Sequence, residues 1–217
     1  MNKAARKLNR REELGVESRR RIIEAASELM AERGFAGTSI AAVSKRSGLP
    51  SGSIYWHFDS KAALLSAVVE DGADRWLASL PGPSADLADA EAGISALLQA
   101  AADSLEQGPQ FLRLMILIAL ERRDLDEDTL ASIRRTRERA RERVRGALLT
   151  LLEPSLPDHA AEVAEEFAFF ALCVADGAFI ANHIDPDTTD LRATFGLLRL
   201  GLMARVAELA SKADPQS

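Results

Sequence analysis

The chain holds almost no cysteine: one residue, Cys173, in 217. A lone thiol cannot close an internal disulfide, which fits a reducing compartment, and a cytoplasmic location is expected. Histidine is nearly as scarce. His57, His159 and His183 stand far apart, without the H-E-x-x-H pair of a zinc hydrolase, and neither a G-x-S-x-G elbow nor a Gly-rich phosphate loop is present. No catalytic residue, metal or cofactor is therefore expected, and the chain is read as something other than an enzyme. There is no uncharged apolar run of 18 residues, and the first 21 residues are basic without an apolar stretch. Neither a membrane span nor a signal peptide is expected. The period-two alternation of strands is missing as well, so the fold class is all-α.

What is present is an uneven distribution of charge. The net charge is −6, yet residues 1–61 hold 12 Lys/Arg against 7 Asp/Glu, while residues 62–217 hold 15 against 26. A basic head precedes an acidic body. Such a head supplies sequence-independent attraction to phosphates, and the body is kept off nucleic acid.

The head has its own grammar between Thr38 and Lys61. Thr38 or Ser39 can cap a short helix whose apolar side is Ile40 and Val43. Gly48 closes it, because a residue that tolerates positive φ is needed there, and Ser47-Gly48-Leu49 has the length of a helix-turn-helix connection. Pro50 opens the next helix. Ser51, Gly52 and Ser53 on its first turn let the backbone approach a surface, with Ser51 and Ser53 near base edges. Tyr55, Trp56 and His57 then offer flat or polar tips to phosphates. Lys61 starts a further helix, where a cation gains nothing from the dipole, and is read as the partner of an anion.

With these features in place the block Tyr55-Trp56-His57-Phe58 and Lys61, following a Thr-rich cap and a short helix ending in Gly, resembles the DNA-binding domain of the TetR/AcrR family of bacterial regulators. The resemblance covers about residues 18 to 65, with Pro50 standing where the family often has a Ser or Thr cap. It implies DNA contacts at Thr38, Ser39, Ser51, Gly52, Ser53, Tyr55, Trp56, His57 and Lys61, a near-palindromic double-stranded operator, a homodimer, and a small effector held in the helical body.

About nine helices are expected. Residues 1–17, with Lys3, Arg6, Lys7, Arg10 and Arg11, read as a flexible basic arm. Residues 18–62 read as the helix-turn-helix domain, with Ser18 capping its first helix and at least one of Arg19, Arg20 and Arg21 on phosphate. Residues 63–217 read as the effector-binding and dimerisation domain. Within the body a helix from Ser60 to about Leu80 ends at Pro81-Gly82-Pro83, and a second starts at Ser84 with Leu87 on its apolar side. Gln110 to Arg123 is apolar nearly all round. The Arg-rich helix from Asp126 to Glu153 carries interleaved Glu138 and Glu142, the mark of a solvated, ion-paired face rather than a second nucleic-acid site.

The expected pocket residues are Trp76, Phe111, Met115, Phe167, Phe170 and Asp176, for a largely apolar effector, with Asp176 inviting a cationic or hydrogen-bonding group. The last two helices are too apolar for surface helices and need a partner. The dimer interface is expected at Phe195, Leu198, Gly201 and Leu202. A sequence-specific transcriptional regulator follows, a repressor released by a small molecule that touches no membrane. The alternative is a helical ligand-binding or redox-sensing module, using Cys173, that does not act on DNA.

Overall fold

The computed structural model of the protein describes residues 3–80, 90–121 and 126–213. Among these residues there are nine α-helices and no strand: α1 (Lys3–Arg33), α2 (Ile40–Ser47), α3 (Ser51–His57), α4 (Lys61–Ser79), α5 (Ala90–Glu106), α6 (Gln110–Glu121), α7 (Glu127–Leu152), α8 (Ala160–Ile184) and α9 (Leu191–Ala213). The Pro81-Gly82-Pro83 break, Ser84, Leu87 and the end expected at Arg123 lie outside the described residues.

The first helix corrects an expectation. Instead of a flexible arm followed by a cap at Ser18, α1 runs unbroken from Lys3. Ala, Leu, Lys, Arg and Glu dominate that stretch and are strong helix formers, so Gly15 alone does not stop it. Across the join, Arg20 pairs with Glu17 one turn before it and Glu24 one turn after it. These exposed pairs are weak, but both favour the helix.

Two compact units divide the chain: Met1–Ala73 with Gln110–Thr136, and Asp74–Pro109 with Arg137–Ser217. The division falls inside α4 and α7, not at the 62/63 boundary expected from sequence. In the first unit α6 packs on α1, which claims residues that sequence reading gives to the body. A close approach fixes this arrangement. A Cβ on Gly72 would lie 2.5 Å from Phe111 Cβ, so only glycine lets α6 come this near α4. Phe111, Leu112, Leu114, Met115 and Ile118 are accordingly buried there. At the start of α7, the Asp126 carboxylate accepts from the Thr129 backbone N–H at 2.7 Å, and this bond holds its pKa below the ordinary range.

The second unit is built on α5, α8 and α9, with the later part of α7. The arginines of α7 find acidic partners as expected: Arg141 meets Glu138 and Glu165, and Arg145 meets Glu142 and Glu165. Arg137 takes Asp176 of α8 in a two-pronged pair, at 3.2 and 2.5 Å. By length and composition α8 is apolar enough to cross a membrane. In the fold, however, its apolar positions divide between a buried side, with Val163, Ala168, Leu172 and Phe179, and an exposed side.

Candidate nucleic-acid interface and ligand cavity

The helix-turn-helix is assembled by short-range chemistry. Ser39, in extended backbone at φ −103°, accepts the Ala42 N–H at 3.1 Å and caps α2. Gly48 ends it at φ 68°. The turn is then tied down three times. Ser44 donates to the Leu49 carbonyl at 2.7 Å, Leu49 N–H donates to Ser47 Oγ at 3.3 Å, and Arg21 donates to the Ser47 carbonyl at 2.6 Å. Pro50 occupies the cap position of α3 rather than its first turn and gives no side-chain bond, with its carbonyl receiving the Ser53 N–H at 2.9 Å. Ile22, Met30, Val43, Ile54 and Leu64 form the core beneath.

Several residues expected on DNA have partners within the fold. Arg21 holds the turn, Arg20 pairs with Glu17 and Glu24, and Arg19 lies over the Phe58 ring at 5.3 Å. Thr38 is buried and donates its hydroxyl to the Gly34 carbonyl at 2.9 Å. Lys61 donates to the Phe35 carbonyl at 2.9 Å and sits 4.3 Å from the centre of the Phe35 ring. That carbonyl lies just beyond α1, and an ammonium satisfies it and stacks on the ring at once. Lys61→Ala is therefore expected to cost about 1–2 kcal/mol of stability, read as a lower thermal midpoint. An unchanged midpoint together with lost DNA binding would return Lys61 to phosphate.

On α3, Ile54 points inward while Tyr55 and Trp56 are 55% and 76% exposed. Trp56 lies beside Gly15, so α1 borders α3 at that point. His57 is half-buried and fixed to α1. The single hydroxyl proton of Ser18 goes to the Gly15 carbonyl at 2.9 Å, so it is His57 Nε2–H that donates to Ser18 Oγ across 2.7 Å. Partial burial, and then the neighbouring Arg19, push its pKa below 6.5. At neutral pH it is an uncharged hydrogen-bonding group. Ser51, Gly52 and Ser53 form the first turn, and a Cβ added at Gly52 would meet nothing within 4 Å.

In the second unit a cavity of about 40 Å³ has an almost wholly apolar lining that includes Trp76, Leu97, Val144, Phe167 and Leu172. Of the six residues expected at the pocket, two are there. Trp76 and Phe167 line it; Phe111 and Met115 belong to the first unit; Phe170 is half-exposed, edge-on to Phe167 at 6.2 Å; and Asp176 is taken by Arg137. The argument for a cationic effector falls with that ion pair. Leu98, Phe195, Leu198 and Leu202 complete the wall and were missed as pocket residues.

The expected interface is likewise corrected. Phe195, Leu198 and Leu202 are buried within the chain at 2–4% exposure, leaving only Gly201 outside. The exposed apolar stripe consists of Phe169, Phe170, Ile180 and Ile184 on α8 with Leu197 and Leu200 on α9. Cys173 is exposed on the same helix, one turn from Phe169 and Phe170. Helical spacing from the exposed residues identifies this stripe only once the buried side of each helix is known.

Residues 22–68 match the family of bacterial regulatory proteins described as the tetR family. Over 63 residues the chain is 40% identical to the HTH-type transcriptional regulator TtgR of Pseudomonas putida, covering 29% of this chain and 30% of that one. It is 38% identical over 66 residues to the regulator UidR of Escherichia coli, covering 30% and 34%. The chain thus spans about a third of the length of the curated relatives it matches. Folds agree much further along the chain. A TetR transcriptional regulator from Chloroflexus aurantiacus superposes with TM-score 0.68 at 24% identity, over 88% of this chain and 96% of its own. A putative regulator from Pseudomonas aeruginosa does so with 0.66 at 19%, over 89% and 92%. The capped α2, the glycine-closed turn and the open first turn of α3 thus lie in a head that matches the tetR family of bacterial regulatory proteins, and the whole chain shares the all-helical fold of solved TetR regulators.

Proposed function

We propose that the chain is a sequence-specific DNA-binding regulator, a repressor released from its operator by a small, largely apolar effector. One observation carries the reading: the outer face of α3 is open, with Gly52 unobstructed and Tyr55 and Trp56 exposed, on a head that carries the chain's excess of positive charge. Ser51 and Ser53 read base edges, Tyr55 and Trp56 meet phosphate and sugar, and His57 fixes α3 to α1. The protein acts as a homodimer through the exposed stripe of α8 and α9. Two recognition helices then reach successive major grooves about 34 Å apart, and the operator is a near-palindrome. Cys173 lies near the stripe and becomes covered or edged by the partner copy.

The effector enters the second unit at the Trp76 and Phe167 cavity. That cavity must expand, since drug-sized ligands occupy about 300–1,000 Å³. α4 carries Lys61 in the first unit and Trp76 in the second, so it couples the two sites, and DNA and effector weaken one another by the same factor. The test is retention of genomic fragments by the purified protein, followed by sequencing. A shared inverted repeat is the expected result; retention without any common sequence, or none at low salt, would overturn it.

A further inference from the structure

Beside the apolar cavity the second unit holds another of a different character. A space of about 190 Å³ between α5 and α9 is bordered by Ser95 and Gln99 on α5, by Arg192 and Arg199 on α9, and by Leu98 and Phe195. Leu98 and Phe195 also wall the apolar cavity. Two side chains thus stand between a small oily space and a larger one rimmed by two guanidinium groups, a hydroxyl and an amide. Their placement is periodic. The arginines lie two turns apart on α9, the hydroxyl and the amide one turn apart on α5, and Gly196 contributes no side chain between the arginines, where a Cβ would meet nothing within 4 Å.

The guanidinium groups are held by weak surface pairs. Arg192 meets Asp103 at 2.7 Å and Glu106 at 3.8 Å, and Arg199 meets Glu91. Most of these side chains are about half exposed, so each pair is weak and its exchange for another anion costs little. An anionic head inside the cavity gains more, because guanidinium binds carboxylate or phosphate through paired N–H donors and charged hydrogen bonds are the stronger kind.

We infer that the second unit takes an amphipathic anion. Its carboxylate or phosphate head lies between Arg192, Arg199, Ser95 and Gln99, and its apolar tail passes Leu98 and Phe195 into the cavity lined by Trp76 and Phe167. Rotation of Leu98 and Phe195 joins the two spaces and supplies volume that neither holds alone. This rests on the reading of the second unit as an effector site, but it fixes the sign of the effector's charge.

The experiment is calorimetric titration of the full-length protein, without DNA, against decanoate, decyl phosphate, decanol and decylamine. At least one anion should bind about tenfold more tightly than decanol, the scale of one charged hydrogen-bonding head, and decylamine should bind more weakly still. Whichever anion wins identifies the head as carboxylate or phosphate. In the Arg192→Gln/Arg199→Gln protein the preference should vanish with decanol affinity unchanged, and Arg199→Lys alone should keep part of it. Decanol or decylamine binding as tightly as both anions would overturn the inference, as would none of the four binding, a double variant that keeps the preference, or one that loses decanol as well. Because no DNA is present, these failures leave operator retention standing, and loss of operator retention leaves them untouched.

Discussion

Gly52→Glu is expected to lower operator affinity on the order of a hundredfold while leaving the head as stable as before or slightly more so. Nothing in the free protein occupies the space beyond Gly52, so the new side chain creates no clash. Glycine is a poor helix residue, and an acid on the first turn interacts favourably with the helix dipole, each by a few tenths to about 1 kcal/mol. On DNA the same carboxylate sits where the backbone of α3 approaches phosphates and base edges, and repulsion adds to bulk; two misfits of about 1–3 kcal/mol each give the hundredfold. Gly52→Ala should show the gain in stability with a much smaller loss of binding. Fluorescence anisotropy with a retained genomic fragment at two salt concentrations, beside thermal melts, separates the two effects. Undiminished affinity of the glutamate protein would remove α3 from the DNA.

Leu197→Glu with Leu200→Glu is expected to give folded monomers, and Leu198→Glu an unfolded or aggregating chain, although the positions are neighbours. Leu197 is 70% and Leu200 54% exposed, so charges there stay in water in the monomer and are forced out of it only when a second copy covers the stripe. Leu198 is 4% exposed and walls the apolar cavity, and an unpaired carboxylate placed there costs several kcal/mol, a large part of a typical domain's stability. Sedimentation equilibrium with circular dichroism reads both results. A dimer that survives both exposed changes would move the interface away from α9.

The contrast between Leu197 and Leu198 also shows where sequence reading stops. The head was legible because its signals are local: Ser39 caps three residues ahead, Gly48 must adopt positive φ, and Ile54 alternates with exposed Tyr55 and Trp56 within one turn. On α9 apolar residues occur on opposite sides, so periodicity cannot say which side meets its own chain and which a partner. Partners distant in sequence were equally hidden. Asp176 looked isolated until Arg137, 39 residues earlier and one of many arginines on α7, closed on it. Phe111 looked like a pocket wall because an all-apolar helix suits either a pocket or a core, and Gly72, which brings α6 against α4, carries no apolar signal of its own. The structural partner of Lys61 was hidden for a related reason. A cation at a helix start does lack a dipole partner, but the carbonyl it serves is 26 residues away.

That the first compact unit is made of two stretches, Met1–Ala73 and Gln110–Thr136, has a bearing on how the protein comes off the ribosome. The helix-turn-helix is synthesised first, yet the segment that covers α1 and seats Phe111 on Gly72 follows only after α5. At about 5–20 residues per second the intervening synthesis takes on the order of several seconds. Throughout that interval the apolar surface of α1 and α4 that α6 later covers stays open to water, and the head is completed only when α6 arrives.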